Sequence, residues 1–413
     1  MIESEFCSKN ILVLTPVYPG EDVMKSTTPV VHYFTREWVK DGYNVLVMHY
    51  PVNFPKLVYA LISPFKERIG SKVGSEIRTW PVKEIEYEVE GVHVKRIPLT
   101  KVKPHGRYSK KNILQAVEKT ISYCDKIEFK PDVIVSHWVN PSLEIMHFLK
   151  NHYKVPTCYV AHDAGHDLKT IMKDVADEYI KETDIIGYRS GYIKRVFEKT
   201  FNCENKPNFL CSSGVPESYL AEKERSISNI KSFVFVGTLI QRKYPTQLIP
   251  AVEKAFGNED YSITYIGDGD ETVQVNKIAK ELGVKEKVHL LGRMPRIEVV
   301  KCLDHSDVFV MISRGETFGL VYLEAMARGC ITIAAKKEGF DGIIVDGENG
   351  FLCEAGNVEE LTEIIKKLKI MSPEQLDRIS RNALKTAYEL TDVKAARYYI
   401  EQVMSVVNNN ANA

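Results

Sequence analysis

Two glutamates bracket a glycine in the most distinctive stretch of the chain, residues 314–329, where Glu316 precedes Gly319 and Glu324 follows it. If a helix begins just after the glycine, its first backbone amides are unpaired donors at its positive end, which suits a phosphate. Carboxylates beside such a site can accept hydrogen bonds from hydroxyl groups. The spacing therefore predicts a ligand that carries phosphate together with a sugar and a ribose. The alternative is one glutamate that favours the helix dipole and a second that is merely exposed.

The elements that would hold these glutamates follow from the flanking residues. Apolar runs at 308–312 and 330–335 have the length of buried parallel strands. Residues 319–328 are rich in helix formers, and Gly329 ends that run like a helix C-cap. The unit is thus predicted to be strand, loop, helix and strand. In open α/β sheets, ligands bind at the carboxyl ends of the strands.

Glycines and cations follow the other predicted strands of this half. Residues 231–236 are predicted to form a strand, after which come Gly237, Thr238, Arg242 and Lys243. Cations near the start of a helix suit a diphosphate. A predicted strand at residues 262–266 is followed by Gly267. Another, at residues 288–291, is followed by Gly292 and Arg293.

A histidine ends an apolar run in the first half of the chain. Residues 156–161 are followed by His162 and Asp163, and His166 and Asp167 come soon after. Catalytic groups gather at the carboxyl ends of strands in α/β proteins, although a single histidine there is often structural. The four side chains also raise the alternative of a metal site.

Length and composition bound the architecture. With 413 residues the chain is too long for one ordinary core and suggests two domains. We place an N-terminal domain at 1–212, a C-terminal domain at 213–392, and a last helix with a short tail at 393–413 that crosses back to the first domain. Basic and acidic residues both number 55, which gives no support for a nucleic-acid partner. The eight cysteines lack zinc spacing and predict buried, reduced thiols.

The N-terminal half begins with a strand at 10–15, a helix at 30–40 and a strand at 43–50, which is typical of a Rossmann-like domain. Residues 54–72 then carry apolar side chains at helical spacing with cations beside them. We favour a helix that packs this apolar face on its own domain. The alternative is a helix that lies on a membrane surface. The apolar positions are Phe54, Leu57, Val58, Leu61, Ile62 and Phe65.

The sequence also predicts the compartment. No apolar run approaches the roughly 20 residues that a membrane span needs. The first residues lack the basic and apolar regions of a signal peptide. We therefore expect a cytoplasmic protein, associated with the inner face of the membrane if residues 54–72 contact lipid.

The sequence Glu-Thr-Phe-Gly at 316–319, followed by Leu-Glu-Ala-Met-Ala-Arg-Gly at 323–329, resembles the Glu-x7-Glu signature of the family 4 glycosyltransferases. This is a large retaining family with the GT-B fold, and the resemblance is strongest over residues 233–360. It implies an α/β chain with two Rossmann-like domains that face each other across a cleft. Two features depart from the family: the first loop lacks its glycine pair, and Thr238 stands where an arginine is usual.

The resemblance implies transfer of a sugar from a UDP- or GDP-linked donor, with retained anomeric configuration and without a protein nucleophile. We expect no metal and no other cofactor, because the cluster of His162, Asp163, His166 and Asp167 lacks the Asp-x-Asp spacing of the metal-dependent glycosyltransferases. Carried over to this sequence, the family's catalytic residues correspond to His162, Lys243 and Glu316. The donor-binding residues correspond to Gly237, Arg242, Gly267, Arg293, Phe318, Gly319, Leu320 and Glu324.

The implied acceptor is a glycan or a lipid-linked glycan, in the synthesis of a capsule, an exopolysaccharide or a lipopolysaccharide. Two alternatives stay open. One is a nucleotide-sugar epimerase on the same fold. The other is a catalytically degenerate scaffold protein, which the threonine at position 238 and the missing glycine pair would favour.

Overall fold

The computed structural model describes residues 9–20, 29–73, 78–101, 106–222 and 225–411. Most of the first loop, which lacks the family's glycine pair, lies outside these ranges. The described chain forms two large sheets. The prediction of an α/β fold with two Rossmann-like domains is confirmed.

Ten strands are described in the first domain: β1 (Asn10–Thr15), β2 (Asn44–His49), β3 (Val52–Asn53), β4 (Ile85–Val89), β5 (Val92–Arg96), β6 (Leu99–Thr100), β7 (Val133–His137), β8 (Thr157–Ala161), β9 (Ile185–Tyr188) and β10 (Asn208–Leu210). Eight form one sheet in the order β10-β9-β8-β7-β1-β2-β5-β4, while β3 pairs with β6. Within the large sheet β4 is antiparallel to β5, and the other neighbours are parallel. Because side chains alternate along a strand, Leu12 and Leu14 enter one core and Ile11 and Val13 the other.

The helices of this domain are α1 (Val30–Lys40), α2 (Lys56–Ile62), α3 (Lys66–Val73), α4 (Lys110–Lys126), α5 (Glu144–Tyr153), α6 (His166–Met172), α7 (Ala176–Glu182) and α8 (Gly191–Phe201). Helix α8 begins at a serine cap, since the Ser190 hydroxyl accepts a hydrogen bond from the Ile193 amide at 3.2 Å. Helix α1 has the bounds that the sequence predicts.

The apolar face of residues 54–72 is packed only in part. Leu57, Leu61 and Phe65 are 70%, 64% and 57% exposed. The prediction that this face packs on its own domain is therefore wrong for these three residues. Helical spacing identifies an apolar face, but it does not say whether a partner covers that face.

The second domain contains β11 (Ser232–Val236), β12 (Ser262–Ile266), β13 (Val288–Leu290), β14 (Val308–Met311), β15 (Ile331–Ala335) and β16 (Phe351–Cys353). They form a parallel sheet in the order β13-β12-β11-β14-β15-β16. The helices that follow residue 240 are α9 (Leu248–Phe256), α10 (Thr272–Glu281), α11 (Arg296–Asp304), α12 (Leu320–Ala327), α13 (Val358–Lys369), α14 (Pro373–Glu389) and α15 (Asp392–Ala411). The predicted unit of strand, loop, helix and strand is present as β14, α12 and β15.

The last helix, α15, packs on the first domain. Trp38 of α1 donates its indole N–H to the carbonyl oxygen of Ala396 at 2.9 Å. The Tyr399 ring meets the rings of Phe34 and Trp38 edge-on, with centroid distances of 5.1 and 4.9 Å. These contacts complete one of the two cores of the first sheet.

The chain crosses between the domains twice, and the two crossings touch. The Val215 amide donates to the Leu390 carbonyl at 2.9 Å, and the Asp392 amide donates to the Val215 carbonyl at 2.9 Å. A Cβ atom on Gly214 would lie 2.2 Å from the carbonyl carbon of Thr391. The close approach of the two segments therefore requires glycine at that position.

Two expectations about composition can be compared with the described residues. The seven cysteines among them are free thiols, and six are buried, as the sequence predicts. In the part of the chain that the structure describes, none of the helices combines the length and the apolar character that crossing a membrane requires.

Candidate functional site

The strand order of the second sheet creates a crevice beside β11. The neighbours of this strand are β12 on one side and β14 on the other, so the loops that leave β11 and β14 diverge. A cavity of about 560 Å³ lies at the carboxyl ends of these strands. Pro29 and Tyr33 line it from the first domain. Its lining from the second domain is Val236, Gly237, Lys243, Met294, Arg296, Val299, Met311, Glu316, Gly319, Leu320, Val321 and Glu324.

Glu316 lies on the loop between β14 and α12, in the wall of this cavity. Its backbone amide donates to Oε2 of Glu338 at 2.8 Å, which fixes the loop. Its own Oε2 lies 3.8 Å from Nζ of Lys243 and 3.8 Å from Nη1 of Arg242. These separations are too long for hydrogen bonds. The oxygen is buried and has no hydrogen-bond partner among the described residues, so it can accept one from a ligand.

Lys243 and Arg242 come from a short 3₁₀ turn that follows β11. The Lys243 side chain is 14% exposed, and that of Arg242 is 48% exposed. Burial lowers the pKa of Lys243, an effect that Arg242 reinforces and Glu316 opposes. The turn therefore brings a buried cation and a half-exposed one beside a single carboxylate.

The start of α12 supplies backbone donors to the same cavity. Gly319 precedes the helix with a left-handed φ of +84°, and none of the described side chains caps the helix. Because Gly319, Leu320 and Val321 line the cavity, the first unpaired amides of the helix are available to an anion there. Phe318, also predicted as a donor-binding residue, is buried, and its ring lies 5.3 Å from the guanidinium of Arg189 in the first domain.

Gly267 holds two loops together and does not line the cavity. Its amide donates to the Gly292 carbonyl at 2.8 Å. A Cβ atom on Gly267 would lie 1.9 Å from the carbonyl oxygen of Gly237. The loops after β11 and β12 thus meet backbone to backbone. Of the predicted glycines, Gly237 and Gly319 line the cavity.

Glu324 lies within α12 and pairs with Arg296, which is not among the site residues that the sequence predicts. Nε of Arg296 donates to Oε1 of Glu324 at 2.9 Å, and Nη2 donates to the same oxygen. Nη1 of Arg296 donates to the Tyr33 hydroxyl at 2.9 Å. Both of the bonds from Arg296 to Glu324 therefore fall on one carboxylate oxygen. The other oxygen of Glu324, Oε2, has no hydrogen-bond partner within the described chain.

The structure thus adds Arg296, Tyr33 and Glu338 to the predicted residues. Arg293, predicted as a donor-binding residue, is exposed and does not line the cavity, whereas Arg296 does. A signal existed in the sequence, because Arg296 follows Pro295, and proline often marks the start of a helix. The choice between the two arginines depends on their direction, which the sequence does not give.

His162 lies across the domain interface from the Glu316 loop. Its backbone carbonyl accepts a hydrogen bond from the Thr317 hydroxyl at 3.2 Å. Its ring stacks on Trp138 at a centroid distance of 3.9 Å, and its Nε2 lies 3.0 Å from Nδ1 of His137. Burial, reinforced by His137 and the Arg189 guanidinium, lowers the pKa of His162 well below its usual range. The ring is therefore neutral at ordinary pH.

The acidic neighbours of His162 serve local structure. Oδ1 of Asp163 accepts a hydrogen bond from the Gly165 amide at 2.7 Å, just before α6 begins at His166. Over the described ranges, no group of three or more histidine, cysteine, aspartate or glutamate side chains is arranged to hold a metal ion. The structure thus offers no support for the alternative of a metal site at these residues.

The arrangement as a whole suits a ligand with separate anionic and hydroxylated parts. Lys243, Arg242 and the start of α12 offer positive charge and N–H donors on one side. Glu316 and Glu324 each offer a carboxylate oxygen that has no partner among the described residues.

Parts of this chain are similar to known proteins. Residues 220–386 match the family described as Glycosyl transferases group 1. The N-acetyl-alpha-D-glucosaminyl L-malate synthase of Bacillus anthracis is 29% identical over 171 residues, which are 41% of this chain and 42% of that protein. The lipopolysaccharide core biosynthesis glycosyltransferase LpsE of Rhizobium meliloti is 27% identical over 242 residues, 58% of this chain and 66% of that protein. The chain thus spans less than two thirds of the length of both relatives.

A solved structure extends the likeness to both domains. Alr3699/HepE of Anabaena, in complex with UDP, superposes with a TM-score of 0.66 and 18% identity, over 96% of this chain and 100% of that one. At this identity the likeness shows the fold alone, which is GT-B. Over residues 220–386, the chain is therefore similar to the glycosyl transferases group 1 family.

Proposed function

We propose that this chain is a retaining glycosyltransferase that transfers a sugar from a UDP- or GDP-linked donor to a hydroxyl group of a glycan or lipid-linked glycan. One observation carries the proposal. Oε2 of Glu316 is buried without a hydrogen-bond partner among the described residues, and Lys243 and Arg242 each lie 3.8 Å from it. This carboxylate oxygen can accept a hydrogen bond from a sugar hydroxyl. The two cations and the helix start beside it can bind the diphosphate to which that sugar is attached.

In the proposed reaction, the bond between the anomeric carbon and the diphosphate oxygen breaks, and its electron pair leaves on the diphosphate. Negative charge then grows beside Lys243, Arg242 and the first amides of α12, which stabilise it. The acceptor oxygen forms the new bond on the same face of the sugar, and its proton passes to the departing phosphate oxygen. We propose that no metal ion takes part, because the cations and amides supply the positive charge.

The remaining polar groups orient the donor. Oε2 of Glu324 would accept from a ribose hydroxyl, while Arg296 holds the other carboxylate oxygen. Oε2 of Glu316 would accept from a hydroxyl of the transferred sugar. His162, as a neutral ring, would exchange a hydrogen bond with the same sugar from the first domain. Fixing several hydroxyls at once holds the anomeric carbon next to the acceptor.

We further propose that the product is a cell-surface polysaccharide, such as a capsule, an exopolysaccharide or a lipopolysaccharide. One similar protein is described as a lipopolysaccharide core biosynthesis glycosyltransferase. A lipid-linked acceptor would place the reaction at the cytoplasmic face of a membrane, and the exposed apolar face of α2 fits that location.

Leu57, Leu61 and Phe65 form the proposed membrane-facing surface. They are 70%, 64% and 57% exposed, and the exposed Lys56 and Lys66 adjoin them. Apolar side chains flanked by lysines complement the surface of an anionic bilayer, in which the apolar groups enter the interface and the cations meet the headgroups. We propose that this surface rests on an anionic membrane.

Vesicle sedimentation tests the membrane contact. The Leu57→Ser/Leu61→Ser variant should bind vesicles of phosphatidylglycerol and phosphatidylcholine at least about tenfold more weakly, because it lacks two leucines that would enter the bilayer interface. The control is Val273→Ser/Ile370→Ser, which removes side chains that are 79% and 86% exposed on the second domain. Equal binding by both variants, or no binding by the unaltered chain, would contradict the proposal.

Release of nucleoside diphosphate from a panel of UDP- and GDP-sugars, with and without glycan acceptors, tests the activity itself. We expect release that depends on an acceptor and falls at least about 100-fold in Glu316→Gln. Glu359→Gln, which alters an exposed carboxylate on α13, is the control and should keep full activity. An isomeric sugar nucleotide formed without an acceptor would indicate an epimerase instead. The absence of a thermal shift with any nucleoside diphosphate would indicate a scaffold protein.

A further inference from the structure

A line of polar side chains connects the last helix to His162. The Tyr399 hydroxyl of α15 lies 3.2 Å from Nε2 of His137, which ends β7. Nδ1 of His137 lies 3.0 Å from Nε2 of His162, just after β8. Tyr399 and His137 are both 0% exposed. The line therefore runs through the interior of the first domain, where bulk water cannot replace a missing partner.

The number of protons on the two histidines limits how this line can be bonded. Burial lowers the pKa of His137 to about 3 and the pKa of His162 well below its usual range. Each ring is thus neutral, with one N–H donor and one acceptor nitrogen. If Tyr399 donates to Nε2 of His137, then His137 carries its proton on Nδ1 and donates to His162. In that case His162 must carry its own proton on Nδ1.

The reverse direction would give His162 the opposite tautomer. His137 would then donate from Nε2 to the tyrosine oxygen and accept at Nδ1 from Nε2–H of His162. Under that arrangement Nδ1 of His162 would be an acceptor. The direction of one hydroxyl bond therefore decides whether Nδ1 of His162 donates or accepts.

The surroundings of Tyr399 favour donation to His137. Burial raises the pKa of Tyr399 well above its usual range, so the hydroxyl keeps its proton. Among the described residues, the thiol of Cys158 is a second hydrogen-bonding neighbour of this hydroxyl, and burial raises the pKa of that thiol as well. A thiol sulfur is a weak acceptor, whereas an imidazole nitrogen is a strong one. The thiol proton can then point at the tyrosine oxygen while the hydroxyl proton points at His137.

Stacking on Trp138 holds the plane of the His162 ring, since the two rings are 14° from parallel. A flip by half a turn would keep the stacking but would put a ring carbon where Nε2 lies, so stacking alone does not place Nε2 against His137. The contact with His137 turns Nε2 inward. Nδ1 is left without a hydrogen-bond partner in the described chain.

We propose that Tyr399 is a positioning residue that acts through His137 to hold His162 as the Nδ1–H tautomer, a hydrogen-bond donor toward a hydroxyl oxygen of the bound sugar. The inference rests on the proposed function only for the identity of that partner. The last helix, which enters the fold after the whole second domain, would thereby set the chemistry of a residue in the first domain.

Nuclear magnetic resonance of the chain labelled with ¹⁵N- and ¹³C-histidine tests the proposal directly, with the His162 signals assigned by their loss in His162→Gln. We expect the Nδ1–H tautomer in the unaltered chain and a shift toward Nε2–H in Tyr399→Phe, which keeps the ring packed against Phe34 and Trp38. The control is Tyr398→Phe on the same helix, where the side chain is 46% exposed, and there the tautomer should not change. An Nε2–H tautomer in the unaltered chain, or no change in Tyr399→Phe, would overturn the proposal.

Kinetics give a second readout. Once an acceptor is in hand, kcat of Tyr399→Phe should fall about tenfold while KM for the donor stays within about twofold, because the lost bond orients a group that acts on the reacting sugar. The tautomer experiment needs no turnover. If the chain proved to have no transferase activity, the tautomer result would still decide the role of Tyr399.

Discussion

Nη1 of Arg296 lies 2.9 Å from the Tyr33 hydroxyl, so the guanidinium that bonds Glu324 in the second domain also bonds the first domain. This contact spans the cleft at the cavity itself. A donor that used the remaining oxygen of Glu324 would bind beside a hydrogen bond between the domains. Occupation of the cavity and the approach of the two domains are thereby linked through a single side chain.

Replacing Arg296 should destabilise the second domain. In Arg296→Met the carboxylate of Glu324, 7% exposed, loses its partner, while the arginine that is removed was 35% exposed. Since partial exposure reduces the loss, we expect a cost of about 2 kcal/mol and a fall in Tm of about 4 to 8 °C. Arg293→Met, at an exposed position nearby, should change Tm by less than about 2 °C. Differential scanning calorimetry makes the comparison, and equal effects of the two substitutions would contradict the assignment.

The affinity for a nucleoside diphosphate should depend on pH through Lys243. Burial lowers the pKa of this lysine, so the ammonium loses its proton, and its attraction for the diphosphate, at a lower pH than an exposed lysine would. Kd for UDP or GDP should rise as the pH increases through that pKa. In Lys243→Arg the charge does not titrate, and the rise should disappear. Isothermal titration calorimetry over a pH series decides this, and a parallel rise in both proteins would rule out Lys243 as the source.

Loss of the Glu316 charge should move that titration. Because Glu316 opposes the lowering of the Lys243 pKa, Glu316→Gln should shift the rise in Kd toward lower pH. The same pH series on Glu359→Gln should match the unaltered chain. If Glu316→Gln left the pH profile unchanged, the 3.8 Å contact with Lys243 would not operate in solution.

Acid should destabilise the first domain through buried histidines. Burial lowers the pKa of His49 to about 3, whereas the unfolded chain titrates near 6.5. Between these values the unfolded state binds the extra proton, so stability falls as the pH decreases, by about 1.4 kcal/mol per pH unit for each such histidine. His49→Gln should reduce this slope by about 1.4 kcal/mol per pH unit, which is the contribution of one bound proton. His152→Gln, at an exposed position, should leave it unchanged. Thermal unfolding from pH 7 to 4.5 provides the slopes.

The contact between the two crossings of the chain predicts a specific sensitivity at Gly214. A Cβ atom there would lie 2.2 Å from backbone atoms of Thr391, so Gly214→Ala must push the crossings apart. We expect a loss of about 1 to 3 kcal/mol in stability and a larger radius of gyration in small-angle X-ray scattering. Gly191→Ala adds a Cβ atom whose nearest neighbour is 3.5 Å away and should have neither effect.

Much of the fold follows from local sequence features. The spacing of apolar residues along the sequence predicts α1 at its observed bounds and the alternation of strands with helices in both domains. This is possible because apolar residues recur differently in amphipathic helices and in buried strands. The unit around Glu316 and Glu324 is predictable for the same reason. Lys243 could be placed at the site because it follows a strand end by a few residues.

Other parts of the site depend on contacts between distant residues. Tyr33, which bonds Arg296 from the first domain, is 263 residues away from it in the sequence, and Tyr399 is 262 residues from His137. No local period carries such information, since these pairs exist only once both domains and α15 have packed together. The prediction that the apolar face of α2 is packed is wrong for a related reason. The sequence pattern shows which residues are apolar, but only the tertiary structure shows whether other residues cover them.

The position of α15 also bears on how the chain is made. The core that contains Val31, Phe34 and Trp38 is closed by Ala396, Tyr399 and Val403, which leave the ribosome after the entire second domain. The first domain therefore emerges early in synthesis with one apolar face uncovered and must wait for the second domain before that face is sealed. During this interval the nascent chain presents an apolar surface to which chaperones can bind. A chain truncated before Asp392 would lack α15, and the core of its first domain would stay uncovered.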